Sequence, residues 1–412
     1  MTKQLLPLIG CLLISACGNF SERMTERVND TGGWVSEQLS GSGKAKDPAE
    51  LVEFEPLFKP EKIWSKSLSD GAGRGFPKPE PGYFTDQITV VSDRRRSLVS
   101  WDHQTRKRLW RVGFDQKISA GVGVNDQYIM VVNRDAELLA LSRETGELVW
   151  QTQMPSEVIA PPVATSEVIV VSTSDGKLLG LQATDGQQKW MIDREVPALS
   201  LRGGSAPLLV GNTVIKGFAD GRLLAVNLNN GFDEWETPVG QSRGRSELSR
   251  MVDADATPVA DNGTVYASAY QGRVVAIGQN SGEVLWSRTL SSYSNLAIDL
   301  FNVYVTDDED TVWALDRRTG ATYWKQEALA ARRISGPAVI GDYLVVADFD
   351  GYLHWMSRDD GSFVARSRPA KTTVSAPLTV INDQLYVFSD DGRLTILAPP
   401  GLTTADPSES GT

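Results

Sequence analysis

The sequence predicts an all-β fold, an eight-bladed β-propeller of four-stranded antiparallel blades. Three observations carry the prediction. A unit of about sixteen residues recurs along the chain, opening on Asp-Gly or its equivalent and closing on Trp. Two further strand-like apolar runs precede each copy, as residues 160–164 and 168–172 do. One copy is split between the two ends of the chain, which is how a propeller closes its ring.

The unit is explicit. Residues 135–150 read DAELLALSRETGELVW, 175–190 DGKLLGLQATDGQQKW, and 220–235 DGRLLAVNLNNGFDEW. Residues 271–286 read QGRVVAIGQNSGEVLW and 309–324 EDTVWALDRRTGATYW. Residues 350–365 repeat the pattern with Ala365 in place of the Trp, and 98–110 are a degenerate early copy. Asp-Gly suits a tight hairpin that needs positive φ. The Leu, Val and Ala that follow suit a buried strand. The second Gly opens another hairpin, and the Trp is an apolar wedge for the seam between sheets.

Counting Trp110, Trp150, Trp190, Trp235, Trp286, Trp324 and Ala365 gives seven closed units. The C-terminal DGRLTIL at 391–397 has no closing strand, and the N-terminal KIWSKSL at 62–68 is a closing strand with no unit. Pairing that N-terminal strand with the C-terminal three strands completes an eighth blade and removes an exposed sheet edge. A WD40 array is disfavoured, because no Trp-Asp pair ends any unit.

The rest of the chain reads as attachment. Lys3 and the apolar stretch 5–14 read as a signal peptide too short to span a bilayer, over 1–16. Ile14-Ser15-Ala16-Cys17 resembles a bacterial lipobox, which makes Cys17 the expected lipidation site. Several acyl chains would anchor the protein stably where one would not. With Gly18 rather than Asp after the Cys, resemblance to Gram-negative lipoproteins implies the outer membrane, facing the periplasm. Residues 17–60 read as a lipidated flexible tether, about 35 Å in r.m.s. span, with one short helix expected from Asp47-Pro48 to Phe54. The propeller is expected over 61–398 and a disordered tail over 399–412.

Composition narrows the chemistry. The 412 residues carry 41 basic and 52 acidic side chains, a formal charge of −11, which repels nucleic acid. The two cysteines are Cys11 and Cys17, so nothing downstream supplies a disulfide, a thiol nucleophile or a cysteine metal site. His103 and His354 are the only histidines. There is no G-x-S-x-G elbow, H-E-x-x-H helix or P-loop. No cofactor, metal or catalytic residue is expected. Asp307-Asp308-Glu309-Asp310 occupies a repeat turn, so a solvated hairpin is favoured over a calcium site. Arg94-Arg95-Arg96 also falls on a turn, and His354 reads as a blade-packing histidine beside Trp355.

Departures from regularity are more informative. From the Trp of one unit to the Asp position of the next, the regular spacing is 23 to 26 residues. It is 30 from Trp190 to Asp220 and 36 from Trp235 to Gln271. Insertions in a repeat protein lie on one face, often the binding face. The first connection carries Leu199, Leu201 and Arg202. The second carries Arg243, Arg245 and Arg250, then Asp253 and Asp255. The residues alone leave Leu199 and Leu201 equally open to two roles, a contact for a protein partner or a buried support for the loop.

The D-G…A-L…T-G…W unit is similar to the quinoprotein (PQQ-like) propeller repeat. Lipobox, tether and eight blades together resemble the BamB-like lipoproteins of the β-barrel assembly machinery. So do PALSLRGGSAP at 197–207, MVDADATPV at 251–259 and DGYLHW at 350–355. The resemblance implies a non-enzymatic scaffold that binds the periplasmic POTRA region of the barrel protein BamA, joins other members of the complex, meets unfolded outer-membrane clients, and assists barrel insertion. It implies partner contacts at Leu199, Leu201, Arg202, Asp253 and Asp255. The family pattern DVD reads DAD here, which keeps both acids. A quinoprotein-like periplasmic enzyme or cofactor-binding propeller is the alternative; it lacks the adjacent-cysteine disulfide of the PQQ dehydrogenases. A generic envelope-binding propeller, for example for glycans, is a third.

Overall fold

A computed structural model describes residues 47–71, 79–84, 86–92, 95–197, 205–240, 252–254 and 256–401. These residues form eight four-stranded antiparallel sheets. Blade 1 spans 82–113, blade 2 118–153, blade 3 163–193 and blade 4 208–238. Blade 5 spans 259–289, blade 6 297–326 and blade 7 338–367. Blade 8 takes three strands from 379–398 and its outer strand, Glu61–Ser67, from the other end of the chain. Glu61 pairs with Ala398 and Ser67 with Arg393, so the ring closes as the split repeat predicts. No described residue is helical.

Burial follows strand position. The second and third strands of each blade are almost wholly buried, as Val168–Ser172 is. Outer strands alternate, as Leu148–Gln153 does. The apolar core is therefore a series of seams. Val168, Val170, Leu178 and Trp190 of blade 3, for example, meet Val214, Leu224 and Val226 of blade 4.

Strand direction gives the ring two ends. Connections from one blade to the next lie at one end with the Asp-Gly turns; we call this the connection end. The turns between first and second strands lie at the other with the Thr-Gly turns; this is the turn end.

The turn end shows why the repeat closes on Trp. In blades 1 to 6 the outer-strand indole donates its Nε1–H to a turn carbonyl of the next blade: Trp110 to Arg143 at 3.0 Å, Trp150 to Ala183 at 2.9 Å, Trp190 to Leu228 at 2.8 Å. Trp235, Trp286 and Trp324 do the same to Gln279, Arg317 and Arg358. The ring lies flat on the glycine of that turn. Gly186, at φ 73°, is in the left-handed region, and a Cβ there would stand 2.6 Å from the Trp150 ring.

Blade 7 departs from this for a physical reason. In blade 8 the third strand ends and the outer strand begins elsewhere in the chain, so no turn carbonyl awaits an indole. Large and small residues are exchanged instead. Regular blades pair a small third-strand residue with the Trp, as Ala140 pairs with Trp150; blade 7 pairs Trp355 with Ala365.

The expected helix over 47–54 does not form. Residues 47–60, read from composition as the end of a flexible tether, instead lie extended along blade 7. Ala49 and Leu57 donate their amides to the carbonyls of Ala330 and Val364 at 2.9 and 2.8 Å, not to a helical turn. Phe54 stacks on Phe363 at 5.7 Å, and Phe58 meets Tyr343 and Trp355 at 4.7 and 5.8 Å. This strap adds aromatic packing to the one blade without an outer-strand Trp.

Candidate partner-binding face

Both long connections emerge at the connection end, on either side of blade 4. Their roots are well fixed. Val239 and Gly240 donate their amides to Gly221 O at 2.8 and 2.9 Å. On the return, Ala254 donates to Phe218 O at 3.2 Å, and Asp253 O accepts the Tyr270 amide at 2.8 Å. Asp253 is thus buried in the seam between the Asp-Gly turns of blades 4 and 5. The two connections also meet, the Ala206 amide donating to Thr257 Oγ1 at 3.2 Å; the Thr257 amide donates in turn to Asn295 Oδ1 of the following connection at 3.1 Å.

Of the five expected partner contacts, the structure therefore places Asp253. Leu199, Leu201, Arg202 and Asp255 lie outside the described residues, as do Cys17, Arg94, Arg243, Arg245 and Arg250.

Charged groups surround these roots. Arg194, at the start of the first connection, pairs with Glu236 at 2.5 Å, and Arg222 pairs with the other oxygen of the same carboxylate. The hydrogen bond from Arg194 holds the Glu236 carboxyl below the usual carboxylate range. Lys216 is buried in the second strand of blade 4, its ammonium on Gly217 O at 2.6 Å and 5.6 Å from the Phe218 ring. Sequence reading passed over Lys216, although aligning the repeats exposes it. Four residues before the Asp position, the other closed units carry Val131, Val171, Ala267, Val305 and Val346.

The remaining candidates take structural roles. Asp307 accepts the amides of Glu309 and Thr311 and the Trp313 indole; Asp310 accepts the amides of Arg333 and Ile334 from the next connection. Asp308 accepts the Ser291 hydroxyl at 2.8 Å. These carboxylates tie turns together, and no cluster of three or more potential metal ligands occurs among the described residues. His354 is fully buried, with Nε2 3.0 Å from Asp348 Oδ2, and the same carboxylate accepts Arg332 Nε and Nη2 at 2.9 and 2.7 Å. Burial pushes the His354 imidazole down, against the pull of Asp348. Burial pushes Asp348 up, but its hydrogen bonds from His354 and Arg332 outweigh that and hold it low. His354 is the packing histidine the sequence suggests.

The family described as outer membrane protein assembly factor BamB matches residues 94–326. A protein of that name from Alkalilimnicola ehrlichii is 49% identical over 359 residues, which is 87% of this chain and 94% of the relative. The chain belongs to the BamB family. The crystal structure of BamB from Moraxella catarrhalis superposes with a TM-score of 0.76 at 27% identity, covering 82% of this chain and all of that one. A quinohemoprotein alcohol dehydrogenase from Comamonas testosteroni reaches a TM-score of 0.64 at 12% identity, over 82% of this chain and 76% of its own; that likeness is one of fold alone. Membership of the BamB family makes the chain an outer membrane protein assembly factor of the Gram-negative type, a scaffold and not an enzyme.

Proposed function

We propose that this BamB-family protein is anchored by acyl chains on Cys17 to the outer membrane, faces the periplasm, and works within the Bam complex. At the connection end it binds the POTRA region of the BamA-like barrel protein and so assists the folding and insertion of outer-membrane clients. One observation carries the reading. The two irregular connections are rooted side by side and joined through Ala206 and Thr257, with Asp253 fixed between two blades. Leu199, Leu201, Arg202 and Asp255 belong to those connections by sequence. A mixed apolar and charged surface of this kind suits a protein partner.

Binding of the full-length protein to the purified POTRA region tests this. Leu201→Ala with Arg202→Ala should weaken binding about thirtyfold, the effect of losing roughly 2 kcal/mol at a central contact. The melting temperature should stay within about 2 °C of the parent. Unchanged affinity would refute the surface, and loss through unfolding would make the two leucines loop supports. An unmodified Cys17 in the N-terminal mass of the membrane-extracted protein would remove the anchor.

A further inference from the structure

The turn end carries a second surface that breaks the repeat. Between first and second strands the blades turn on short polar or glycine-containing pairs. These are Asp126-Gln127 in blade 2, Ser166-Glu167 in blade 3, Gly211-Asn212 in blade 4 and Asn262-Gly263 in blade 5; Gly341-Asp342 and Asn382-Asp383 follow in blades 7 and 8. Blade 6 turns on Leu300-Phe301. The two side chains are 78% and 75% exposed, and Leu285 of blade 5, beside them, is 56% exposed. The six sister turns named show that a polar or glycine-containing pair closes this hairpin, so its folding does not require an apolar pair.

The turn is held stiffly. Asp299 Oδ1 accepts the amides of Phe301 and Asn302 at 2.8 and 2.7 Å. Its Oδ2 accepts the Tyr304 hydroxyl and Arg358 Nη1, both at 2.8 Å, and its carbonyl accepts Arg317 Nη1 at 2.9 Å. Leu300 and Phe301 line an open groove of about 440 Å³ together with the exposed Leu285 and the buried Tyr266 and Trp286. That volume is at the small end of ligand sites and suits one or two side chains.

The charges beside the groove define its occupant. Arg317 is held by four hydrogen bonds: Nε is on Tyr266 OH at 2.9 Å, Nη1 on Asp299 O, and Nη2 on the carbonyl and carboxylate of Asp261 at 3.1 and 2.5 Å. Asp316 is committed to the amides of Arg318 and Thr319 and to the Thr319 hydroxyl. Arg318 is exposed; its guanidinium makes no hydrogen bond or salt bridge among the described residues and feels the nearby charge of Asp316, whose carboxyl is held low by the Thr319 hydroxyl first and by this guanidinium after it. An apolar groove beside one open guanidinium fits a large apolar side chain with a carboxylate next to it. An anionic lipid surface would set many negative headgroups against a formal charge of −11, whereas a peptide need present only one carboxylate to Arg318, which favours a peptide over a membrane.

We propose that the Leu300–Phe301 groove, at the opposite end of the ring from the long connections, binds an extended segment of a second protein through an aromatic or large aliphatic side chain, with an adjacent acidic residue on Arg318. Both ends of the ring can then be occupied at once.

The test uses the full-length protein and a dye-labelled nine-residue peptide with a central Phe-Asp flanked by Gly and Ser, read by fluorescence anisotropy. Control peptides replace Phe with Ser or Asp with Lys. The Phe-Asp peptide should bind saturably, and either control should bind about tenfold more weakly. Leu300→Ser with Phe301→Ser should weaken binding by at least the same factor. Arg318→Glu should weaken the Asp peptide and restore the Lys peptide, a reciprocal change that a loss of fold cannot produce. Excess POTRA region should leave the affinity unchanged. Absence of saturable binding, or equal binding by the double variant, overturns the proposal. So does a concentration-dependent dimer that the double variant abolishes, which makes the occupant a second copy. Flotation with anionic vesicles without peptide binding overturns it in favour of a membrane.

Discussion

The two ends of the ring are built on different principles. At the turn end one device recurs: an outer-strand Trp lies on a left-handed glycine and donates to a neighbouring carbonyl, six times around the ring. At the connection end each seam is individual. Blade 7 uses a buried Arg332–Asp348–His354 group, blade 4 a buried Lys216, and the seam of blades 4 and 5 the backbone of Asp253. Uniform apolar packing sets the number and closure of the blades. The individual polar seams hold connections of different length without altering the ring. An end that tolerates variation can acquire a partner surface, and Leu300-Phe301 is the place where the uniform end has departed from its own rule.

The largest effects should come from the polar seams. Asp348→Ala leaves the buried Arg332 with only the more exposed Asp350 at 3.2 Å, removes the carboxylate partner of the buried His354, and should destabilise the protein by about 3–5 kcal/mol. At the turn end Gly186→Ala adds a Cβ at φ 73°, 2.6 Å from the Trp150 ring, and should destabilise by roughly 1–3 kcal/mol. Denaturant unfolding of both variants measures the order. If Gly186→Ala costs more than Asp348→Ala, the buried charges are incidental and the Trp-on-Gly contact dominates both ends.

Much of this was legible in the sequence because the repeat states its own physics. Asp-Gly, a second X-Gly pair and Trp, or recognisable substitutes for them, mark the turns and seams of the units, and the unpaired halves at 62–68 and 391–397 announce the closure. The long connections were legible as spacing, and Asp253 lies at the root of one of them. Other features were not. The strap over 47–60 reads DPAELVEFEPLFKP, with no repeat or period to assign its apolar residues a partner, and its order comes from Phe54 and Phe58 meeting Phe363, Tyr343 and Trp355, residues some three hundred positions away. Ala365 looked like a lost Trp; its cause is the missing turn of blade 8 and the exchange with Trp355, which only the assembled ring displays. The Glu236 bridge between Arg194 and Arg222 joins two blades and has no motif.

The central claim is that the barrel protein is bound at the connection end. Amide hydrogen exchange of the full-length protein, with and without the POTRA region, tests it most directly. The account predicts added protection at residues 194–197, 205–207, 252–258 and 270–272, with none at 299–302. Protection confined to 299–302 and the neighbouring Thr-Gly turns, with the roots of the long connections unchanged, would contradict it.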